Sequence, residues 1–239
     1  MIYNIRGYHG GLGDQLQHST IPMRLAEQGH DVKLYTGPEV QPFRNPEIEK
    51  FVWGYNPHVK GSSIENWTAG DIVGSVYQNR HDDFIRNIEA MHGLMPENSL
   101  PIIYYEPHTF KSIDGVIELS GITSGKKFNR DTIIAKTQEI IKESGANFAQ
   151  IVSKHQHNSI DIPNVKKIWV SSLEEVSDII HNCAILVTLD SGIHSLAAAI
   201  QRFSQRKHYS FIVGKDWDYI MREKRFIYPN IKYIKDSND

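Results

Sequence analysis

Short apolar runs and longer amphipathic segments alternate along most of the chain. The apolar runs have the length of buried strands, and the amphipathic segments repeat their apolar residues with the period of a helix. We predict strands at 2–6, 32–36, 71–76, 102–105, 115–119, 148–153, 166–170, 184–189 and 209–213, and helices at 14–28, 80–92, 129–144, 172–182 and 191–203. Strands that alternate with helices indicate crossover connections, and therefore an α/β fold with parallel sheets.

Residues at several helix ends support these boundaries. Pro22 lies inside the first helix, and because proline has no backbone N–H we expect a kink or a restart there. Gly29 follows this helix and is typical of a C-terminal stop. Farther along, Ser171 with Glu174 three residues later predicts a capping box that opens the next-to-last helix.

The segment 106–114 (EPHTFKSID) interrupts the alternation between two blocks of similar size. Each block begins with a strand, continues through a glycine-bearing turn and enters a helix. This arrangement predicts two Rossmann-like domains, 1–106 and 114–239, whose parallel sheets face a central cleft.

The composition is that of an ordinary globular protein, with 40% hydrophobic and 23% charged residues among 239. No apolar run reaches about 18 residues, so no membrane span is predicted. The first residues lack a basic region followed by an apolar core, and the single cysteine, Cys183, fits a reducing compartment, so we expect a cytoplasmic protein. A net charge of −2 gives no general electrostatic case for nucleic-acid binding.

The stretch GYHGGLGD, residues 7–14, forms a glycine-rich corner between the first strand and the first helix. Glycines at such a corner let the backbone approach a ligand closely. A P-loop would continue with lysine after Gly13, and a dinucleotide fingerprint would place a glycine at Leu16, so neither motif is present. Asp14 stands where it would repel a phosphate. We interpret it as a helix N-cap or as a general base, and the four glycines favour the base because a plain cap does not require them.

A second glycine turn lies in the C-terminal half, where Asp190, Ser191 and Gly192 follow an apolar strand and open a helix of small residues. A hydroxyl group and a bare backbone at a helix N-terminus suit an anionic group. The sequence therefore predicts an anion-binding turn at this position.

The chain resembles the heptosyltransferase-like glycosyltransferases of glycosyltransferase family nine, which have the GT-B fold. In the stretch GGLGDQLQHSTIPMRLAEQGHDVKLYT, residues 10–36, Asp14 matches the conserved acid of the family's N-terminal motif. The resemblance implies that Asp14 is the base that activates the acceptor hydroxyl. The same sequence motif is similar to one in glycogen and starch synthases, which are another group of GT-B enzymes.

The neighbours of Asp14 in sequence become candidates for the acceptor side: Gly11, Gly13, His9 and His18. His18 lies four residues after Asp14, and on a helix this spacing puts both side chains on one face. It therefore either orients the acid or caps the turn.

The family's nucleotide-sugar site reads Asp-Ser/Thr-Gly, two further residues, and then His-Leu-Ala-Ala-Ala. This chain matches the pattern at Asp190, Ser191, Gly192 and residues 196–199. It departs at Ser195, where the family has histidine, and His194 stands one residue early. One residue is about 100° of rotation on a helix, so His194 is either a displaced donor contact or a partly buried helix histidine. The resemblance therefore makes five residues candidates for binding the donor: Asp190, Ser191, Gly192, His194 and Ser195.

The stretch ELSGITSGKKFNRD, residues 118–131, resembles the family's loop that carries hydroxyl residues and a lysine near the donor phosphates. Lys126 is the best match, Lys127 is its neighbour, and Thr123 and Ser124 are hydrogen-bonding candidates. A cation aimed at the leaving diphosphate can substitute for a metal ion. The alternative is a solvated lysine pair on a loop.

Metal and cofactor signals are weak. His155 and His157 have no acidic or cysteine partners in sequence, and no Asp-x-Asp motif ends a strand, so no metal site is predicted. The only expected small-molecule partner besides the acceptor is a nucleotide-diphosphate sugar, as co-substrate. Lys215, after the last predicted strand, is a further candidate for the donor phosphates.

The resemblance implies metal-independent, inverting glycosyl transfer from a nucleotide-diphosphate sugar to an acceptor hydroxyl. The acceptor would be a saccharide, and the chain is short for this fold, which favours a small or accessible one. A nucleobase in modified DNA is a second acceptor class, kept open by the basic segment 202–225. The alternatives are an epimerase or hydrolase with the same fold, and a nucleotide-sugar binder without catalytic activity.

Overall fold

The computed structural model describes residues 1–5, 10–38, 43–65, 84–120, 128–153, 159–203, 206–214, 217–223 and 226–237. The strands in these ranges are β1 Ile2–Ile5, β2 Asp31–Tyr35, β3 Val59–Ser63, β4 Ile113–Glu118, β5 Phe148–Ser153, β6 Lys166–Val170, β7 Cys183–Leu189, β8 Lys207–Ile212 and β9 Ile231–Lys235. The helices are α1 Leu12–Gln17, α2 Ile21–Glu27, α3 Pro46–Glu49, α4 Phe84–Met91, α5 Arg130–Ser144, α6 Leu173–His181, α7 Gly192–Ile200 and α8 Trp217–Glu223, with a π-helical turn at Lys50–Gly54 after α3. None of the described helices combines the length and the apolar character that a membrane crossing requires.

The predicted α/β class with parallel sheets is confirmed. In the N-terminal half, the described strands form a parallel sheet in the order β1-β2-β3. In the C-terminal half, six parallel strands follow the order β6-β5-β4-β7-β8-β9. The second order is that of a doubly wound Rossmann-type sheet, in which the chain starts in the middle, builds to one edge and then builds to the other. The strand order therefore reverses between β4 and β7, which are hydrogen-bonded neighbours.

The core of the C-terminal half lies along these central strands. Ile117 of β4, Leu189 of β7 and Phe211 of β8 are fully buried in one apolar cluster. Helix α5 adds Ile133 to the cluster. The strands are buried on both faces because crossover helices cover a parallel sheet, which explains their continuous apolar runs.

The first predicted helix is in fact two helices. α1 ends at Gln17 and α2 begins at Ile21, with Pro22 in the first turn of α2. A proline costs little there because the first-turn N–H groups have no partner within the helix. Gly29 has φ +83°, and its N–H donates to the Ala26 carbonyl at 2.9 Å. Both the restart at Pro22 and the stop at Gly29 are confirmed.

Other predicted elements differ from the structure. Residues 102–105 were expected to form a strand because they read IIYY, but they are irregular. The N–H of Ile102 donates to the Ser19 hydroxyl at 2.8 Å, so this segment is held by a side chain of the α1–α2 connection. The strands β3 and β9 were not predicted, and the predicted strand 71–76 lies outside the described residues.

The chain divides into two compact units, which are Met1–Glu106 with Glu223–Phe226, and Pro107–Arg222 with Ile227–Asp239. Relative to the predicted boundaries, residues 107–113 join the C-terminal unit, where the Phe110 N–H donates to the Asn182 side chain at 2.9 Å. Residues 223–226 join the N-terminal unit, where the rings of Phe226 and Phe84 stack with centroids 6.0 Å apart.

Candidate active site

The glycine-rich corner leads from β1 into α1. Gly11 is the N-cap residue of α1, with extended backbone angles (φ −84°, ψ 149°), and its carbonyl accepts the Gln15 N–H at 3.1 Å. Asp14 is the third residue of the helix, inside its first turn. Asp14 is therefore not the N-cap, which removes one of the two interpretations of this residue. A carboxylate in the first turn is still favoured by the helix dipole.

The Asp14 carboxylate lies beside the backbone of Gly11. A Cβ atom at Gly11 would lie 3.0 Å from Asp14 Oδ2, closer than nearly all real contacts of this kind. The same point is 3.6 Å from the guanidinium of Arg44, whose backbone N–H donates to the Gly10 carbonyl at 2.9 Å. Arg44 thus brings a positive charge close to Asp14. No motif in the sequence pointed to Arg44, because it follows in a separate segment beyond β2.

His18 contacts Asp14 through the main chain. It is the C-cap residue of α1, it is buried, and its Nδ1 donates to the Asp14 carbonyl oxygen at 2.9 Å. This placement matches the capping alternative. Gly13, the second residue of α1, is also buried.

The ring of His92 lies near His18, inside the N-terminal unit. It is hydrogen-bonded to the Tyr3 hydroxyl at 3.2 Å. Burial lowers the pKa of His92 to about 3, and the nearby His18 adds to the effect. His92 is therefore neutral at ordinary pH, and its ring packs beside that of Tyr3, with centroids 5.9 Å apart.

In the C-terminal unit, the donor candidates occur at the switch point of the sheet. Asp190, Ser191 and Gly192 directly follow β7, and the segment 121–127 follows β4 in sequence. Because β4 and β7 are the adjacent strands at which the sheet order reverses, ligands of such sheets bind beyond their carboxyl ends.

The turn after β7 has an open helix N-terminus. Ser191 is the N-cap residue of α7 in an extended conformation, and its side chain makes no cap hydrogen bond. Its Oγ is buried and has no hydrogen-bond partner among the described residues. Asp190 is buried, and its N–H donates to the Phe211 carbonyl at 2.9 Å, which ties the turn to β8.

Glu118, which the sequence analysis did not single out, ends β4 beside this turn. Its side chain is fully buried, and it pairs in register with Thr188 of β7. One carboxylate oxygen accepts the Ser120 N–H at 3.2 Å and also the Ser120 hydroxyl. A buried carboxylate at this position holds Ser120, the last described residue before the 121–127 segment.

His194 and Ser195 point into the C-terminal unit rather than out of it. Both are completely buried on α7. His194 Nε2 is hydrogen-bonded to the Tyr233 hydroxyl at 3.3 Å, and Ser195 Oγ accepts the Tyr228 hydroxyl at 2.9 Å. Burial raises the pKa of the Tyr233 hydroxyl, so it stays protonated. This arrangement favours the interpretation of His194 as a buried helix histidine.

The remaining predicted site residues lie outside the described residues: His9, Thr123, Ser124, Lys126, Lys127 and Lys215. Their roles stay predictions. His155 and His157, for which no metal site was predicted, lie outside them as well. Across the part of the chain that the structure describes, no group of three or more histidine, cysteine, aspartate or glutamate side chains could hold a metal ion.

No protein-family model and no curated protein matches this chain. Solved structures do match. TibC, an iron-containing dodecameric glycosyltransferase of enterotoxigenic E. coli H10407, superposes with a TM-score of 0.68 at 13% identity, over 99% of this chain and 65% of TibC. A family 9 glycosyltransferase from Veillonella parvula DSM 2008 matches with a TM-score of 0.62 at 9% identity, over 98% of this chain and 85% of that one.

Two further matches are structures with nucleotide ligands. E. coli heptosyltransferase WaaC with ADP matches with a TM-score of 0.57 at 11% identity, over 98% of this chain and 93% of WaaC. TibC in complex with ADP-D-beta-D-heptose matches over 99% of this chain and 63% of TibC, at 14% identity and a TM-score of 0.65. This chain thus spans less than two thirds of TibC. At these identities, the comparisons show that the chain has the GT-B-like fold of heptosyltransferases, as the sequence resemblance predicted.

Proposed function

We propose that this chain is a glycosyltransferase that moves a sugar from a nucleotide-diphosphate sugar to an acceptor hydroxyl. The observation that carries the proposal is the match of nearly the whole chain to heptosyltransferase structures, among them structures that hold ADP or an ADP-sugar. TibC is described as iron-containing, and for this chain we propose a reaction that needs no metal ion.

The donor side is supported by the strand order of the C-terminal unit. The Ser191–Gly192 turn opens α7 next to the switch point, and the Ser191 hydroxyl oxygen is buried without a partner among the described residues. A buried hydroxyl without a partner among the described residues and the N–H groups of a first helical turn suit a phosphate, which would accept hydrogen bonds from both. Lys126 and Lys127 would add the positive charge that stabilises a leaving diphosphate.

The acceptor side is supported by the corner after β1. Asp14 would accept the proton of the acceptor hydroxyl, and that oxygen would attack the anomeric carbon from the face opposite the diphosphate. The new bond joins this carbon to the acceptor oxygen, while the carbon–oxygen bond to the diphosphate breaks and its electrons leave with the nucleoside diphosphate. One displacement of this kind inverts the anomeric configuration. The positive charge of Arg44 near Asp14 suits an acceptor with polar or anionic groups.

The first experiment measures nucleoside diphosphate release from a panel of nucleotide sugars, with ADP-sugars tested first, in the presence and absence of candidate saccharide acceptors and glycosylatable DNA. We expect release only with an acceptor, unchanged turnover after chelation by EDTA, and a product of inverted configuration by NMR. Release without acceptor would indicate a hydrolase, and conversion of the sugar without release would indicate an epimerase. If chelation abolished the turnover and an added metal ion restored it, the metal-independent mechanism would be contradicted.

Substitution of the base provides the second experiment. Asp14→Asn should lower the turnover about 10²–10⁴-fold, the range that a general base contributes, while the nucleotide still binds. The control is Asp31→Asn, which removes an exposed carboxylate of β2 in the same unit. Full activity of Asp14→Asn would show that another group is the base. Binding of nucleotide sugars with no turnover in the wild-type chain would indicate a binding protein.

A further inference from the structure

Two tyrosine hydroxyl groups are bonded to neighbouring side chains at the start of α7. Tyr228, which precedes β9, donates its hydroxyl proton to Ser195 Oγ at 2.9 Å. The hydroxyl of Tyr233, in the middle of β9, is bonded to His194 Nε2 at 3.3 Å. Both of these α7 residues are completely buried. The two contacts therefore attach the first turn of α7 to the β9 region of the same unit.

The two tyrosines are also bonded to each other. The Tyr228 N–H donates to the Tyr233 hydroxyl oxygen at 2.7 Å. Burial raises the pKa of Tyr233 most, the Tyr228 N–H lowers it, and the Asp190 carboxylate adds a smaller increase, so the hydroxyl keeps its proton. This proton can then be donated to His194 Nε2.

The ring of His194 packs against both tyrosine rings. Its centroid lies 5.1 Å from that of Tyr228 and 5.6 Å from that of Tyr233. The ring of His208, on β8, lies 5.3 Å away. The two hydrogen bonds to α7 thus belong to a packed cluster of rings, which limits the movement of each side chain.

These contacts lie in the helical turn to which we assign the donor phosphates. α7 begins at Gly192, so His194 and Ser195 are its third and fourth residues. The Ser195 N–H donates to the Ser191 carbonyl at 3.3 Å and closes the first turn. The N–H groups before it, at 192–194, have no acceptor within the helix, and a bound phosphate would meet these groups. Side chains that are held at 194 and 195 therefore restrain the backbone that carries them.

The start of α7 also differs from the starts of α5 and α6. In those helices, the N-cap side chains of Asn129 and Ser172 accept a backbone N–H of the first turn. In α7, the side chain of Ser191 makes no cap hydrogen bond. A helix end without a cap is less stable and frays more readily. The tyrosine contacts supply a restraint that does not use the Ser191 hydroxyl.

We propose that Tyr228 and Tyr233 are positioning residues that hold the first turn of α7 in the conformation that binds the donor diphosphate. They act through Ser195 and His194, and their hydroxyl groups replace the restraint that an N-cap side chain gives to other helices. This inference rests on the proposed function, since that function assigns the diphosphate to this turn.

Tyr209 of β8 provides a matched control in the same unit. It is half-buried, and Lys232 Nζ lies 5.6 Å from its ring centroid. Among the described residues, the tyrosine hydroxyls bonded to side chains of α7 are those of Tyr228 and Tyr233. Tyr209→Phe therefore makes the same chemical change without removing a hydrogen bond to the helix.

The test measures the binding of ADP and of adenosine to the full chain, together with hydrogen–deuterium exchange. In Tyr228→Phe and in Tyr233→Phe, the Kd for ADP should rise about threefold to tenfold, the range of one lost hydrogen bond. Deuterium uptake should rise in peptides that cover residues 190–197. The Kd for adenosine, which has no phosphate, should stay at the wild-type value, and Tyr209→Phe should change none of the three quantities.

Ser195→Ala removes the acceptor of the Tyr228 hydroxyl and completes a double-mutant cycle. Because one hydrogen bond joins the two side chains, Ser195→Ala should raise the Kd for ADP by about the same factor as Tyr228→Phe. The double variant should show that factor once. Factors that multiply in the double variant would show that the two residues act separately, and would overturn the positioning of the turn through this bond.

The outcomes separate this inference from the proposed function. An unchanged Kd for ADP or unchanged exchange at residues 190–197 in Tyr228→Phe and Tyr233→Phe would overturn the inference. An equal rise of the Kd for ADP and for adenosine would also overturn it, because that result would indicate a general disturbance of the unit. Failure of the wild-type chain to bind ADP would count against the proposed donor, while the exchange data would still decide whether the two hydroxyls hold the turn.

Discussion

Gly11 leaves room for the Asp14 carboxylate, and this accounts for one of the glycines in the corner. Its backbone angles are ordinary extended ones, so the position does not need glycine for conformational freedom. The requirement is spatial, because a methyl group would stand 3.0 Å from Asp14 Oδ2. The absence of a side chain at Gly11 therefore leaves space for one particular oxygen atom, Asp14 Oδ2.

Gly11→Ala is therefore expected to move the Asp14 carboxylate and to lower the turnover of the proposed transfer about 10-fold to 100-fold, because small misplacements of a base cost that much. The melting temperature should change little. Gly54→Ala is the control, since a Cβ atom there would meet nothing nearer than Lys50 Cγ at 3.8 Å. Steady-state kinetics and thermal unfolding of both variants measure the two effects. Full turnover in Gly11→Ala would contradict the assignment of Asp14 as the base.

At the scale of elements, the sequence predicted those with a strong apolar period and missed those without one. The strands β5, β6 and β7 are buried or carry apolar runs, and their predicted bounds are nearly those of the structure. Strand β3 reads VKGSS and is largely exposed, so its pairing with β2 leaves no hydrophobic signature. Strand β9 is short and contains two lysines among its five residues. Such strands are specified by tertiary pairing rather than by local pattern.

The cap of α6 shows how closely the sequence can place a boundary. The predicted capping residue was Ser171, but Ser172 is the N-cap residue, and its side chain accepts the Glu175 N–H at 3.1 Å. Glu175, not Glu174, returns its carboxylate to the Ser171 N–H at 2.6 Å. Both serine–glutamate pairs have the spacing of a capping box, so sequence alone could not choose between them.

Ser172→Ala should lower the free energy of unfolding by about 1 kcal/mol, the usual cost of losing an N-cap side chain. Ser171→Ala is the matched control, because its hydroxyl makes only an exposed contact with Glu175, and we expect it to cost less than about half of that. Urea denaturation of the two variants measures the difference. A larger loss in Ser171→Ala would mean that the helix begins one residue earlier.

At the scale of the whole molecule, the candidate site depends on which strands become neighbours. The sequence motifs were enough to identify Asp14 and the Ser191–Gly192 turn as candidates. They could not show that β4 and β7 adjoin, nor that the Asp236 carboxylate, directly after β9, accepts the Asn129 N–H, because these contacts join residues 70 and 107 positions apart. Tertiary packing decides which polar groups become buried at such a site, and it leaves little trace in the local sequence pattern.

Two buried histidines make the stability of the whole molecule depend on pH. Burial lowers the pKa of His92 to about 3, and burial, with His194 and Arg206 nearby, holds the pKa of His208 well below its ordinary value. In the unfolded chain, both rings bind a proton below about pH 6.5. The unfolded state then holds protons that the folded state lacks, so the free energy of unfolding falls as the pH decreases below 6.5, down to about 3 for His92.

His92 should remove about 1.4 kcal/mol of the free energy of unfolding between about pH 7.5 and about pH 5.5, and His208 should act in the same direction. Urea denaturation at the two pH values measures the total, and His92→Gln should reduce the difference by about that amount, because glutamine binds no proton in either state. His208→Gln should also reduce the difference. Equal pH dependence in both variants and the wild type would mean that both buried rings already bind protons in the folded chain, and that the packing around His194 and Tyr3 accommodates their charge.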